Sequence, residues 1–285
     1  MKINSRVLYS VSSILLMFFF SCNKEEIIPS YIHIDKINLT TNSSVEGSNA
    51  HKVLDAWIYV DNNLVGAFEM PCTIPVIYSG EHKIKVMPGI KNNGSATERI
   101  VYPFYSTYEQ TVTLTPTQIT TLAPTVTYSS NVHFTWIEDF EGSSPSINDT
   151  VNSDTVMKIV SAPEAFEGNS GGVFLTGTKN NYNGVSSNKY ILPQGGTPVF
   201  LELNFNCNTQ FNVGIIGYDA NNIISIQQEL ISLYPTTGWN KVYIELTPVV
   251  SGSSSSAKFG IYFSMQKDAN QTTSYFYLDN IKIVN

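Results

Sequence analysis

From Ile27 to the C-terminus, the apolar residues come in short alternating runs closed by Gly, Pro, Asn or Asp. Side chains along a strand point to opposite faces in turn, so a period of two specifies half-buried strands rather than helices. Trp57-Ile58-Tyr59-Val60, Asp61-Asn62-Asn63 and Leu64-Val65-Gly66-Ala67-Phe68 read in succession as strand, turn and strand, a hairpin. Gly80-Glu81-His82 leads into a strand over Lys83-Ile84-Lys85-Val86, and similar runs lie at residues 109–114 and 119–126. No amphipathic helix is expected before residue 130. The polar, turn-rich segment 145–154 reads as a loop. The chain is expected to be all-β. Its 285 residues suffice for two ordinary domains, and the Ser/Thr-rich passage 125–133 marks their boundary.

Composition narrows the class. Charged residues make up 14% of the chain and aromatic residues 12%, against about 25% charged in an average soluble protein. Few charges with many aromatic and β-branched residues describe a β-rich extracellular protein. The net charge of −7, with no basic stripe to offset it, excludes a nucleic-acid partner. Of the three cysteines, Cys72 and Cys207 fall in different expected domains and read as small buried hydrophobes rather than a disulfide. No Cys/His cluster suggests zinc.

Residues 1–21 read as a signal peptide. Lys2 and Arg6 form the positive start, and Val7 to Phe20 is an apolar stretch too short, and too diluted by Tyr9, Ser10, Ser12 and Ser13, to span a bilayer. Ser21-Cys22 at its end resembles a lipobox, which implies cleavage before Cys22 and acylation (palmitate among the chains) of its thiol. Phe19 and Phe20 depart from the commoner aliphatic and small residues, a looseness familiar in Bacteroidetes. Asn23-Lys24-Glu25-Glu26 resembles the Lys-plus-acidic signal that sends Bacteroidetes lipoproteins to the outer face of the outer membrane. Residues 22–30 then form an acylated tether, with the ectodomain facing the medium rather than the periplasm.

Residues 31–127 resemble small immunoglobulin-like or PEGA-type β-sandwiches, carried by Ala56-Trp57-Ile58-Tyr59-Val60-Asp61, Pro71-Cys72-Thr73-Ile74-Pro75 and Tyr78-Ser79-Gly80-Glu81-His82-Lys83-Ile84-Lys85-Val86. Such units act as spacers or interaction modules. Residues 128–285 carry four motifs in order. They are Phe134-Thr135-Trp136-Ile137-Glu138-Asp139-Phe140-Glu141-Gly142; the segment Phe166-Glu167-Gly168 through Thr176-Gly177; Thr237-Gly238-Trp239 through Leu246; and Tyr275-Phe276-Tyr277-Leu278-Asp279-Asn280-Ile281-Lys282-Ile283. Their order resembles the galactose-binding-like β-jelly roll of several carbohydrate-binding module families. The expected fold is thus two consecutive β-sandwich domains, the second a jelly roll.

Alternation places Asp139 and Glu141 on one face, and Glu138 and Phe140 on the other. It groups Phe276, Leu278, Asn280 and Lys282, with Asp279 opposite them beside Tyr275, Tyr277, Ile281 and Ile283. An acid among large apolar residues calls for a partner or a cation. The resemblance implies that the first and last strands are neighbours and hold a structural calcium, for which Asp139, Glu141 and Asp279 are the expected ligands. Sugar binding calls for aromatic faces beside polar side chains. Tyr182 and Tyr190, near Lys179, Asn180, Asn181 and Asn183, are the expected ligand contacts, and the resemblance places Trp239 in the core. Asp149-Thr150-Val151 and Asp154-Thr155-Val156 resemble a Bacteroidetes O-glycosylation acceptor, which makes Thr150 and Thr155 the expected sites.

The four histidines sit in separate segments without a metalloprotease spacing or a nearby nucleophile motif. A retaining glycosidase needs two carboxyls about 5 Å apart, and only Asp139 and Glu141 share a face. The chain is expected to be no enzyme. The reading that follows is a surface lipoprotein that binds glycan through its C-terminal jelly roll. The alternative is a structural or assembly lipoprotein that binds protein partners.

Overall fold

The computed structural model describes residues 28–253 and 255–285; the expected signal peptide, Cys22 and most of its tether lie outside them. The fold is all-β and built of β-sandwiches. The first unit contains β1 (Ser30–Ile34), β2 (Asn38–Leu39), β3 (Asp55–Val60), β4 (Asn63–Glu69), β5 (Cys72–Val76), β6 (Gly80–Lys91), β7 (Arg99–Val101), β8 (Tyr108–Leu114), β9 (Ile119–Leu122) and β10 (Thr125–Val126), with one short helix, α1 (Ser43–Glu46). One sheet runs β4-β3-β6-β7, with β8 also on β6; the other runs β5-β1-β9, and β10 pairs with β2. The expected hairpin is β3–β4. Asp61 and Asn62, at φ of 48° and 68°, form the two-residue turn between the Val60 and Asn63 pair, and the left-handed region suits Asp and Asn there.

The second unit is a jelly roll of two facing sheets. Its strands are β11 (Phe134–Glu138), β12 (Ile147–Asp149), β13 (Lys158–Ser161), β14 (Asn169–Thr176), β15 (Asn181–Ser186), β16 (Phe200–Cys207), β17 (Phe211–Tyr218), β18 (Ile224–Leu233), β19 (Asn240–Glu245), β20 (Lys258–Gln266) and β21 (Thr273–Val284), with a short helix α2 (Thr247–Gly252) before β20. The six-stranded sheet runs β13-β14-β21-β16-β19, with β11 on β21; the five-stranded sheet runs β12-β15-β20-β17-β18. The first strand of the unit therefore pairs with the last. β12 falls inside the segment read as a loop, because three residues are too few to display an alternation. Cys207 is buried in this unit, Cys72 is half-buried in the other, and both thiols are free.

The alternation expected for the last strand breaks at one point. On the β21 side, Leu203 alone faces Asn280 and Ile281 between the Glu202–Lys282 and Asn204–Asp279 pairs, and Asn280 takes φ 49°. This bulge inserts a residue and reverses the parity beyond it. Phe276 and Leu278 face the sandwich core before the bulge, and Ile281 and Ile283 face it afterwards. Lys282 is thereby turned out of the core of the jelly roll and toward the first unit, where its Nζ donates to Ser48 O at 2.6 Å.

The two units share a core. Phe200, Tyr243 and Val284 belong to the apolar cluster of the first unit, with Tyr102 meeting Phe200 at 5.3 Å and Tyr243 at 4.9 Å between ring centroids. Within this seal lies a buried charge network. Glu202 Oε1 accepts from Tyr102 at 2.7 Å and from Tyr128 at 2.9 Å. Lys241 Nζ forms a buried ion pair with Glu202 Oε2 at 2.8 Å. Burial alone would raise the Glu202 carboxyl, but Lys241 and Lys282 outweigh it and hold it below its ordinary value. Lys282 is pulled down to about 8 by burial, against the pull of Glu202.

Candidate functional site

On the five-stranded sheet, the core-facing positions are apolar, and several outward ones are polar. Tyr262-Phe263-Ser264-Met265-Gln266 shows the pattern: Phe263 and Met265 enter the core, leaving Tyr262, Ser264 and Gln266 outside. Register then aligns polar side chains across strands. Asn183 pairs with Ser264, which pairs with Asn212, which pairs with Ser232 on β18. At strand spacings of about 4.8 Å this row spans roughly 14 Å. One row over, Val185, Tyr262 and Gly214 are paired, and a Cβ on Gly214 would overlap the Tyr262 ring. The missing side chain lets the ring lie over the β17 backbone.

This face holds a groove of about 430 Å³ lined chiefly by Asn181, Asn183, Gln210, Asn212, Ser264 and Gln266. Among the described residues, Asp268 is the single acid in its lining, and its Oδ1 accepts from the backbone and side-chain nitrogens of Asn270. Asn212 Nδ2 donates to Glu229 at 2.8 Å, and Asn212 Oδ1 accepts from Ser232 Oγ at 2.8 Å. These bonds hold the Asn212 amide in one orientation. Burial, with the charge of Glu229 second, raises the Tyr262 hydroxyl above its ordinary value and keeps it a donor at neutral pH.

Of the expected aromatic contacts, Tyr182 borders the groove from beneath, and Tyr190 is outside its lining. Tyr182 is 0% exposed, with its ring 5.6 Å from Phe276 in the core. Tyr190, 9% exposed, stacks on Trp136 at 5.7 Å. Neither presents a ring face to a sugar. The reason for Tyr182 is parity, since its neighbours Asn181 and Asn183 occupy the outward positions of β15 and line the groove. Trp239, expected in the core, packs half-buried between Phe166 at 5.4 Å and Tyr277 at 6.3 Å, outside the core cluster. The sequence does not single out Tyr262, Ser264, Gln266 or Asn212, although the alternation of β20 marks the first three as outward.

The expected calcium ligands do not come together. Asp139 Oδ1 accepts from Glu141 N at 3.2 Å, and Glu141 accepts from Asn169 N at 2.6 Å and from its side-chain nitrogen at 3.0 Å. Asp279 accepts from Ser170 Oγ at 2.8 Å, Glu167 N at 3.2 Å and Asn280 N at 2.7 Å. Hydrogen-bond donors thus surround these carboxylates, whereas calcium needs a shell of oxygen acceptors. Among the described residues, no three Asp, Glu, His or Cys side chains form a cation site, so these ligands do not fit the metal. Burial raises Asp279 to about 7 against the pull of its donors. The acceptor threonines differ as well. Thr150 is exposed, but Thr155 is 8% exposed and takes a 3.4 Å bond from Lys179, which closes its hydroxyl to a modifying enzyme. Cys22 lies outside the described residues, among which no helix is long and apolar enough to cross a membrane.

No protein-family model and no curated protein matches the chain. Among solved structures, it is similar to a family 11 carbohydrate-binding module of a cellulosomal cellulase from Clostridium thermocellum, at 21% identity over 54% of this chain and 95% of that one, with a TM-score of 0.37. It is also similar to a xylan-binding domain of family 22 from Paenibacillus barcinonensis, at 15% identity over 52% and 97%, with a TM-score of 0.38. A carbohydrate-binding module of the β-sandwich superfamily aligns at 12% identity over 80% and 84%, with a TM-score of 0.40.

Proposed function

We propose that this chain is a non-catalytic glycan-binding protein held at the outer membrane through an acylated Cys22, with the first sandwich as spacer. The observation that carries this reading is the in-register row Asn183, Ser264 and Asn212 beside the Tyr262 ring. Amide and hydroxyl groups supply donors and acceptors in the arrangement that sugar hydroxyls need, and the ring offers an apolar face. Asp268 is the single acid in the groove's lining among the described residues, and the Glu229 carboxylate beside the groove accepts from Asn212 and Ser232.

Calorimetric titration of the purified protein against a panel of soluble polysaccharides tests the groove. Binding is expected to weaken about tenfold in Tyr262→Ala and about threefold to tenfold in Ser264→Ala, the range of one lost hydrogen bond. Binding by no member of the panel would overturn the reading in favour of a protein partner. Anchoring is tested by palmitate labelling, which Cys22→Ala is expected to abolish, and surface exposure by protease treatment of intact cells.

A further inference from the structure

A second cavity of about 320 Å³ opens where the two sandwiches meet, beside β19 at the edge of the six-stranded sheet. The first unit lines it with Lys52 and Lys91, and the second with Tyr234, Pro235 and Asn240. Lys241 also lines it but is committed to Glu202. Among the described residues, its lining contains no aspartate or glutamate. Lys52 donates to Asn240 Oδ1, and no carboxylate pairs with either Lys52 or Lys91 among the described residues. Burial, with the charge of Lys91 second, pulls Lys52 below its ordinary value. Two cations lining one cavity without a counter-charge are relieved by an anion placed in it. At the mouth, Tyr234 is 62% exposed beside Pro235, an apolar surface next to the positive floor.

We infer that this cleft binds a carboxylate-bearing sugar ring, a uronic acid residue, with Lys52 and Lys91 on its carboxylate and Tyr234 against its ring. The choice of a sugar rests on the glycan reading of the groove; the anionic character rests on the lysines alone. The two sites abut, because Ser232 lines the cleft and bonds Asn212 of the groove. One acidic oligosaccharide can therefore lie along the groove and end in the cleft.

The test titrates the purified protein with oligogalacturonate, with the same oligosaccharide after its carboxyls are reduced to alcohols, and with inorganic phosphate. Oligogalacturonate is expected to bind at least tenfold more tightly than the reduced form, more weakly at high salt, and about tenfold more weakly in Lys91→Gln and in Tyr234→Ala. Both substituted residues lie at the cleft's surface and leave the Glu202 network intact. Equal affinity for the reduced form, or no effect of either substitution, would falsify the inference. Phosphate binding as tight as the oligosaccharide would overturn its sugar component. The groove fails separately: loss of neutral-glycan binding by the unsubstituted protein leaves the Lys91-dependent binding of oligogalacturonate standing.

Discussion

Both sheets of the second sandwich carry polar side chains on their outer faces, and the two faces have opposite fates. On the six-stranded sheet, the first unit covers Glu202, Lys241 and Lys282, and each is buried. On the five-stranded sheet, Asn183, Asn212, Ser264 and Gln266 line an open groove. Under cover, a polar group must be matched by a partner of opposite charge or a hydrogen bond, so the network becomes structural and fixes how the units dock. In the open, water satisfies what the protein does not, and the spare hydrogen-bonding capacity is available to a ligand. The same kinds of side chain hold the molecule together on one face and can hold a partner on the other.

Substitutions can break that comparison from the covered side. Glu202→Ala leaves Lys241 and Lys282 buried without their counter-charge, and chemical denaturation is expected to show a loss of about 3–5 kcal/mol, the usual cost of orphaning a buried charge. Tyr102→Phe removes one bond to the carboxylate and is expected to lose about 1.5–3 kcal/mol in the same measurement. An intact stability in either variant would mean that the units dock through their apolar residues alone.

Lys282 adds a pH signature. Its folded value of about 8 lies below its ordinary one, so between the two the unfolded chain holds a proton that the folded chain lacks. Stability is therefore expected to rise from about pH 8 toward pH 10, with the penalty fully present below 8. Lys282→Met should flatten that rise in melts recorded across this range.

On the open side the expected stability effects are small. Ser264→Ala and Gln266→Ala are expected to change stability by no more than about 0.5 kcal/mol, while oligosaccharide affinity falls. A large destabilisation would show that the groove side chains are structural after all. Smallest of all is the response to calcium. Neither chelation nor added calcium is expected to shift the melting temperature, since a ligand that stabilises must bind the folded state and the expected carboxylates are held by donors instead. A rise on adding calcium would sharpen the picture by pointing to a different set of oxygens.

How far the sequence could be read depended on whether a feature was local. The β3–β4 hairpin was legible because Asp61-Asn62 carries its own turn chemistry. The burial of Glu138 and Phe140 and the exposure of Asp139 and Glu141 followed from alternation, even though β11 ends at Glu138. The polar neighbours that single out Tyr182 in the sequence are the outward residues of β15, and Tyr182 is the inward one. The bulge at Asn280 departs furthest from the expected alternation, because an Asn permits a left-handed residue but only the pairing with β16 requires one here.

The sequence by itself determined that this chain folds as β-sandwiches, since a period of two with turn residues between the runs admits little else. It also marked out Cys22 as the candidate anchor. The tertiary structure alone decided which polar residues are sealed and which remain open. Glu202 and Ser264 are both outward residues of central strands, and no local pattern separates them. What separates them is the first sandwich, which packs over one sheet and not the other, and burial depends on that long-range packing.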